Sequence, residues 1–232
     1  NLIGQKKQRE NLLAENRQTR AQLEKNKQSQ QELMKNIRQK EGLFASQIKK
    51  AQQEVNAIDK KIDEMIRASI AAANKESGST ARDVYKLTPE AKALAVDFAK
   101  NKGRLPWPVR SGIVVRRFGS QPHPVVKTVT VNSNGVHIET EPGTKARAVF
   151  GGTVSEVQAV PGANRAVMVR HGDYLSIYNN LTKINVKKGD VVSLGQDIGE
   201  VATNSSSGKT TLYFMIYKNM DKLDPAEWIL RM

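Results

Sequence analysis

The first 76 residues of this chain contain no proline, tryptophan or tyrosine, whereas all eight prolines and all five tyrosines come later in the sequence. Glutamine, lysine, glutamate, asparagine and alanine dominate this segment. Such residues favour a helix but cannot build a normal globular core. Because the chain has 232 residues, this contrast predicts two parts of different structure, a helical arm over residues 1–76 and a folded domain after a linker.

An apolar seam runs along the second half of the predicted arm. Its members recur at alternating spacings of three and four residues: Phe44, Ile48, Ala51, Val55, Ile58, Ile62 and Met65. This spacing is typical of a coiled coil, and a helix with one apolar stripe needs a second surface that buries the stripe. Three occupants fit this requirement: a second copy of the chain, a segment outside this sequence, or a different protein. The arm is then either a spacer or a docking surface for an upstream regulator.

A short amphipathic helix is predicted inside the linker, which we place at residues 77–104. Thr88 has the residue type of a helix N-cap, and Pro89 follows it at the first helical position. Apolar residues then recur at helical spacing: Ala91, Leu94, Ala95 and Phe98. This helix either packs on the following domain or acts as a detachable plug for a groove of that domain.

Residues 105–232 change to short apolar runs separated by glycine, proline and asparagine. Ten candidate strands follow one another between residues 112 and 217, and such a series predicts an antiparallel all-β domain. A repeated order of turn, strand, glycine turn and strand is similar to that of barrel-sandwich folds. The expected fold class is therefore α+β in two parts, with a coiled-coil helix and a short helix before a barrel-sandwich-like β domain.

Composition excludes several classes of function. The chain has no cysteine, so it has neither disulfides nor thiolate metal sites. The net charge of +14 permits acidic partners, but the basic residues are scattered without the aromatic patch that stacks bases, so no nucleic-acid partner is expected. No apolar run approaches the length of a membrane span, and we expect a fragment whose targeting signal is missing.

An ordered series of short motifs in residues 105–230 resembles the lysostaphin/LytM-type zinc endopeptidase domain. Each motif is weak alone, but their order is specific. The motifs are Trp107-Pro108, Arg117-Phe118-Gly119, His123-Pro124, Asn134-Gly135-Val136-His137, Pro142-Gly143-Thr144, Gly151-Gly152-Thr153-Val154, Arg170-His171-Gly172-Asp173-Tyr174, Leu212-Tyr213-Phe214 and Leu223-Asp224-Pro225.

The resemblance also implies where catalytic residues should stand. Active members hold zinc with a histidine, an aspartate and the second histidine of a His-x-His pair, which leaves one position for an acidified water. Those three positions fall on Ser133, His137 and Tyr213. The first histidine of the pair falls on Thr211, and a further catalytic histidine falls on Asn180. The resemblance therefore implies a degenerate domain that is not an enzyme and that holds no metal or other cofactor.

With its preceding coiled coil, the chain resembles the family of EnvC-like murein hydrolase activators. Such activators act in the periplasm on N-acetylmuramyl-L-alanine amidases, and their coiled coil links them to the division ABC transporter. The resemblance implies that the helix with Ala91, Leu94, Ala95 and Phe98 is a candidate autoinhibitory helix. An active zinc endopeptidase and a non-activating peptidoglycan-binding scaffold are the alternatives. The expected partner-binding groove comprises Asn134, His137, Tyr178, Tyr213 and Tyr217.

Overall fold

A computed structural model describes residues 2–123, 126–159 and 164–232 of the chain. The chain forms two compact units that divide after Lys50. The sequence places the end of the arm at residue 76, whereas the structure groups Ala51–Met232 in one unit. The last part of the predicted arm therefore packs with the β domain.

Helix α1 spans Leu2–Glu76. Its residues up to Lys50 form the first unit, and the rest belongs to the second unit. Large apolar side chains in the first unit are exposed, among them Leu23, Leu33, Ile37 and Phe44. In the part of the chain that the structure describes, no helix is both long and apolar enough to cross a membrane.

The second unit contains the end of α1, a second helix and twelve strands. Helix α2 spans Pro89–Lys100, and the Thr88 hydroxyl accepts a hydrogen bond from the Ala91 amide, as the N-cap signal predicts. The strands are β1 (Ile113–Arg116), β2 (Gly119–Pro122), β3 (Thr130–Ser133), β4 (Val136–Thr140), β5 (Lys145–Arg147), β6 (Gly152–Ala159), β7 (Arg165–His171), β8 (Tyr174–Ile184), β9 (Val191–Val192), β10 (Asp197–Val201), β11 (Thr210–Lys218) and β12 (Asp221–Leu223).

Ten strands form one antiparallel sheet, and seven of them follow one another in the order β1-β4-β11-β8-β7-β6-β9. Strand β10 joins β5 to β8, β12 pairs with β11, and β2 pairs with β3 in a separate ribbon. The expected all-β architecture is confirmed, although β2 and β12 were not predicted. A strand was also predicted over residues 125–131: residue 125 lies outside the described residues, residues 126–129 form a turn, and only Thr130 and Val131 belong to a strand, β3.

The two faces of the sheet pack in different ways because successive side chains of a strand point to opposite sides. One face, which we name the core face, includes Val136, Val167, Tyr178, Leu212 and Phe214. The other, which we name the tyrosine face, consists of Ala166, Met168, Leu175, Ile177, Tyr213, Met215 and Tyr217. Each face is covered by a different helix.

Helix α2 covers part of the core face. Phe98 is completely buried, stacks on His171 with ring centroids 4.7 Å apart, and meets the edge of Phe150 at 5.5 Å. Gly172 allows this approach, since a Cβ there would lie 2.6 Å from the Cβ of Ala95. The α2 helix therefore packs on its own domain, on the face opposite Tyr213. Of the two alternatives given for this helix, the structure has the packed one, and an autoinhibitory role of α2 stays a prediction.

The end of α1 covers the tyrosine face instead. Ile62 of the predicted seam is completely buried there and Met65 is nearly so, and Ile66 and Ile70, which the seam does not include, are also completely buried. Burial of each such side chain contributes about 1.5–3 kcal/mol. The side chain of Asn74 then fixes the following loop by bonding the carbonyls of Ala81 and Val84 and the amide of Lys86.

Candidate functional site

Three neighbouring strands place a polar row at one end of the tyrosine face. Tyr213 on β11 lies opposite His137 on β4 and opposite Asn179 on β8. The rings of His137 and Tyr213 stack with centroids 4.2 Å apart. Directly opposed residues share a face of a sheet, so the strand register brings these three side chains together.

The β3–β4 turn closes this row from the side. The amide of Asn134 donates a 3.1 Å hydrogen bond to the phenolic oxygen of Tyr213, and the Ser133 hydroxyl donates one of 2.8 Å to the carbonyl of Gly135. The structure therefore brings together Ser133, Asn134, His137 and Tyr213, four of the residues selected from the sequence.

Helix α1 binds the tyrosine face through hydrogen bonds as well as apolar contacts. The Tyr213 hydroxyl donates a 2.7 Å bond to Oδ1 of Asp59, and the Tyr217 hydroxyl donates a 3.1 Å bond to Oδ1 of Asp63. Lys222 forms an ion pair of 3.3 Å with Oδ2 of Asp63. Both tyrosines thus offer donors to two acids that are one helical turn apart.

The side chain of Gln52, at the beginning of the contact between α1 and the β domain, forms hydrogen bonds to the backbone of Asn132. Nε2 of Gln52 donates a 2.9 Å bond to the carbonyl of Asn132, and the Asn132 amide donates a 3.1 Å bond to Oε1 of the same glutamine. The contact of α1 with the β domain therefore has polar anchors from Gln52 to Asp63 in addition to its apolar seam.

The carboxyl group of Asp59 is held in an unfavourable environment for a charge. Burial raises its pKa from 3.8 to about 6, against the opposing effects of the Tyr213 hydrogen bond and the charge of Lys222. Burial, together with the adjacent carboxylates, also raises the pKa values of the Tyr213 and Tyr217 phenols. Both phenols therefore stay protonated and act as donors at neutral pH.

The residues at the three positions that the resemblance assigns to zinc ligands do not fit a catalytic zinc ion. Such a site needs three nitrogen, oxygen or sulfur ligands of suitable charge, but these positions supply one imidazole, one hydroxyl and a phenol that donates to Asp59. Burial and the charge of Arg116 lower the pKa of His137 to about 3, so its ring is neutral. Within the described ranges, no group of three or more histidine or acidic side chains could hold a metal ion.

The remaining predicted residues lie elsewhere. Asn180 has a left-handed φ of 71°, and its side-chain amide donates a 2.8 Å bond to the backbone carbonyl of Thr211. Tyr178 lies opposite Phe214 on the core face, where its hydroxyl accepts a 2.8 Å bond from the Val149 amide. The expectation that Tyr178 lines the same groove as Tyr213 is therefore corrected.

Sequence reasoning missed Asp59, Asp63 and Asn179. A signal existed for Asp59, because it directly follows the seam residue Ile58 and lies three residues before Ile62, so it borders the apolar seam. Asn179 is almost fully buried, and its Oδ1 has no hydrogen-bond partner. The sequence could not identify it, since the register of β8 decides which of two adjacent asparagines faces Tyr213.

Comparison with known proteins shows which family the part of the chain around this site is similar to. Residues 131–225 match the model of Peptidase family M23. The chain is 29% identical over 131 residues to the murein hydrolase activator EnvC of Escherichia coli, which is 56% of this chain and 30% of EnvC. It is 35% identical over 106 residues to the peptidoglycan DD-endopeptidase ShyA of Vibrio cholerae, which is 45% of this chain and 23% of ShyA.

Among solved structures, that of Helicobacter pylori Csd3 aligns with a TM-score of 0.46 and 27% identity, over 54% of this chain and 34% of Csd3. The chain spans less than a third of the length of EnvC and of ShyA. The matched residues include the polar row around Tyr213 and all of β11. Residues 131–225 therefore resemble a domain of Peptidase family M23.

Proposed function

We propose that this chain is a non-catalytic activator of peptidoglycan amidases, and that the tyrosine face is the surface that binds the amidase. The observation that carries this proposal is the contact that Tyr213 makes. The resemblance assigns this position to a zinc ligand, yet the hydroxyl and ring of Tyr213 take part in a packed contact with a helix. Tyrosines are frequent at the centres of protein interfaces.

The proposal includes regulation by the end of α1. Residues from Ile58 to Ile70 cover the tyrosine face and compete with any partner for it. A partner gains access when a signal along the helix favours the released state, and the two states must differ by no more than a few kcal/mol for such a switch to operate. We propose in addition that the coiled coil links the chain to the division ABC transporter as its regulator. The proposed location is the periplasm.

An amidase assay on dye-labelled peptidoglycan tests the proposal. Ile66→Glu places a charge in the apolar contact and releases the end of α1, so it should stimulate the amidase more strongly than the unmodified chain. Ile37→Glu is the matched control, since Ile37 is half exposed on the same helix. Ile70→Glu is a second releasing variant. If neither releasing variant stimulates the amidase, the activator proposal is wrong.

The similarity to ShyA makes a zinc endopeptidase the competing function. The same assay separates the two: an endopeptidase with added zinc releases peptide fragments from peptidoglycan without any amidase, and an activator releases none. A scaffold binds peptidoglycan but leaves amidase activity unchanged. We expect dye release with the amidase present and no fragments without it.

A further inference from the structure

The end of α1 shows what kind of ligand the tyrosine face fits. We infer that its partner, in the function proposed above, is an amphipathic helix with acidic residues at positions i and i+4 and aliphatic residues at i+3, i+7 and i+11. In the chain itself, Asp59 and Asp63 are the acids, and Ile62, Ile66 and Ile70 are the aliphatic residues. The partner helix therefore has the same pattern of acidic and aliphatic residues as the end of α1 that it replaces.

The acidic pair follows from the donors that the face presents. When α1 leaves, the hydroxyls of Tyr213 and Tyr217 and the ammonium of Lys222 lose the acceptors that Asp59 and Asp63 provide. Donors left without acceptors inside an interface cost free energy. A partner must supply acceptors at the same places, and positions i and i+4 of a helix are neighbours on one face.

Charge complementarity supports an acidic partner. Residues 1–76 contribute +6 to the net charge of +14, which leaves +8 on residues 77–232. The sheet end near Tyr213 also carries Arg116, whose charge lowers the pKa of His137. A helix with an acidic pair is therefore attracted to this domain during encounter.

The α1 segment is an imperfect occupant of the face, so a partner can displace it. Asp59 is buried at a cost that its raised pKa records. Of the three buried side-chain atoms without a hydrogen-bond partner in the described residues, two lie in the polar row, Nε2 of His137 and Oδ1 of Asn179. Such groups are rare in well-satisfied contacts. A partner that brings a donor to this row binds the face better than α1 does.

A labelled peptide with the sequence of residues 51–76 tests this inference against the full chain carrying Ile66→Glu. The peptide should bind, and the peptide with Asp59→Ala and Asp63→Ala should bind roughly tenfold more weakly. Alanine favours the helix, so lost helix propensity cannot cause this weakening. The matched control peptide carries Glu54→Ala and Glu64→Ala, which remove the same charge from exposed positions and should leave affinity nearly unchanged.

Tyr213→Phe in the chain should reduce the difference in affinity between the native peptide and the peptide with Asp59→Ala and Asp63→Ala, because the variant chain no longer offers Asp59 the phenolic donor. Equal affinity of all three peptides, or no binding, overturns the inference. Amidase stimulation by the same protein preparation is measured in parallel. Stimulation without acidic selectivity rejects this inference alone, whereas selectivity without stimulation rejects the activator function alone.

Discussion

The phenolic oxygen of Tyr213 donates a 2.7 Å hydrogen bond to Oδ1 of Asp59, although 154 positions separate the two residues in the sequence. Both side chains are buried, and the bond lies at the contact between α1 and the sheet. It joins the helix that covers the face to a position that the sequence resemblance assigns to a zinc ligand. The free energy of this hydrogen bond therefore contributes to the stability of the contact between α1 and the tyrosine face.

The Tyr213→Phe variant should loosen the end of α1. It removes the donor to Asp59 and leaves a buried carboxyl without its partner, which costs about 1–3 kcal/mol. Chemical unfolding should show a loss of that size, and amide exchange should speed up in residues 55–73. Tyr174→Phe, on the core face, is the control and should leave exchange in this segment unchanged. Equal exchange in both variants would contradict the role of the bond.

The stability of the α1 contact should depend on pH through Asp59. Because burial raises the pKa of Asp59 from 3.8 to about 6, the protonated form is favoured in the packed state. The contact is therefore strongest below pH 4, weakens as pH rises from about 4 to 6, and stays weak above that range. Tyr213, Asp63 and Lys222 surround this carboxyl group and are the charged and polar groups that modulate it.

Asp59→Asn tests this pH dependence, because the amide keeps an acceptor but removes the charge. The variant should equal the unmodified chain in stability near pH 4 and exceed it by up to about 3 kcal/mol at pH 7.5. It should also stimulate the amidase less at that pH, since the face stays covered. Thermal unfolding at both pH values measures the first effect, with the exposed Asp97→Asn as the control. A parallel pH dependence in all three proteins would refute the assignment.

The fold was predictable to the extent that it depends on local patterns. The absence of proline before residue 77 predicted α1, Thr88 and Pro89 predicted the start of α2, and short apolar runs predicted the sheet. These signals depend on neighbouring residues, so they can be read from the sequence. The seam at Ile62 and Met65 was also correctly identified, but the surface that covers it lies within the same chain.

The arrangement of helices on the sheet was not predictable, because it depends on register. Tyr178 and Asn179 are adjacent, so one must face the core and the other the tyrosine face, and a shift of one residue exchanges them. Pairing of Asn179 with Tyr213 settles this choice in the structure. Either α1 or α2 could have covered the tyrosine face on amphipathicity alone, since both have an apolar stripe.

Replacing isoleucines of α1 by alanine should lower stability only where the isoleucine packs on the sheet. Ile66 is completely buried against the sheet, so Ile66→Ala should lower the free energy of unfolding by about 2–5 kcal/mol through lost burial and a cavity. Ile37→Ala changes an isoleucine that is 50% exposed, so its effect should stay within about 0.5 kcal/mol. Similar losses for both variants would show that the end of α1 does not pack on the sheet.

The role of α2 should be structural. Phe98→Ala removes a ring that contacts His171, Tyr174, Phe150 and Trp228, so it should destabilise the β domain by about 3–5 kcal/mol. Because α2 lies on the core face, amide exchange of the α1 segment should change no more than in the domain as a whole. Val96→Ala on the exposed side of α2 is the matched control. Selective release of α2 together with amidase stimulation, at unchanged stability, would instead make α2 the autoinhibitory helix.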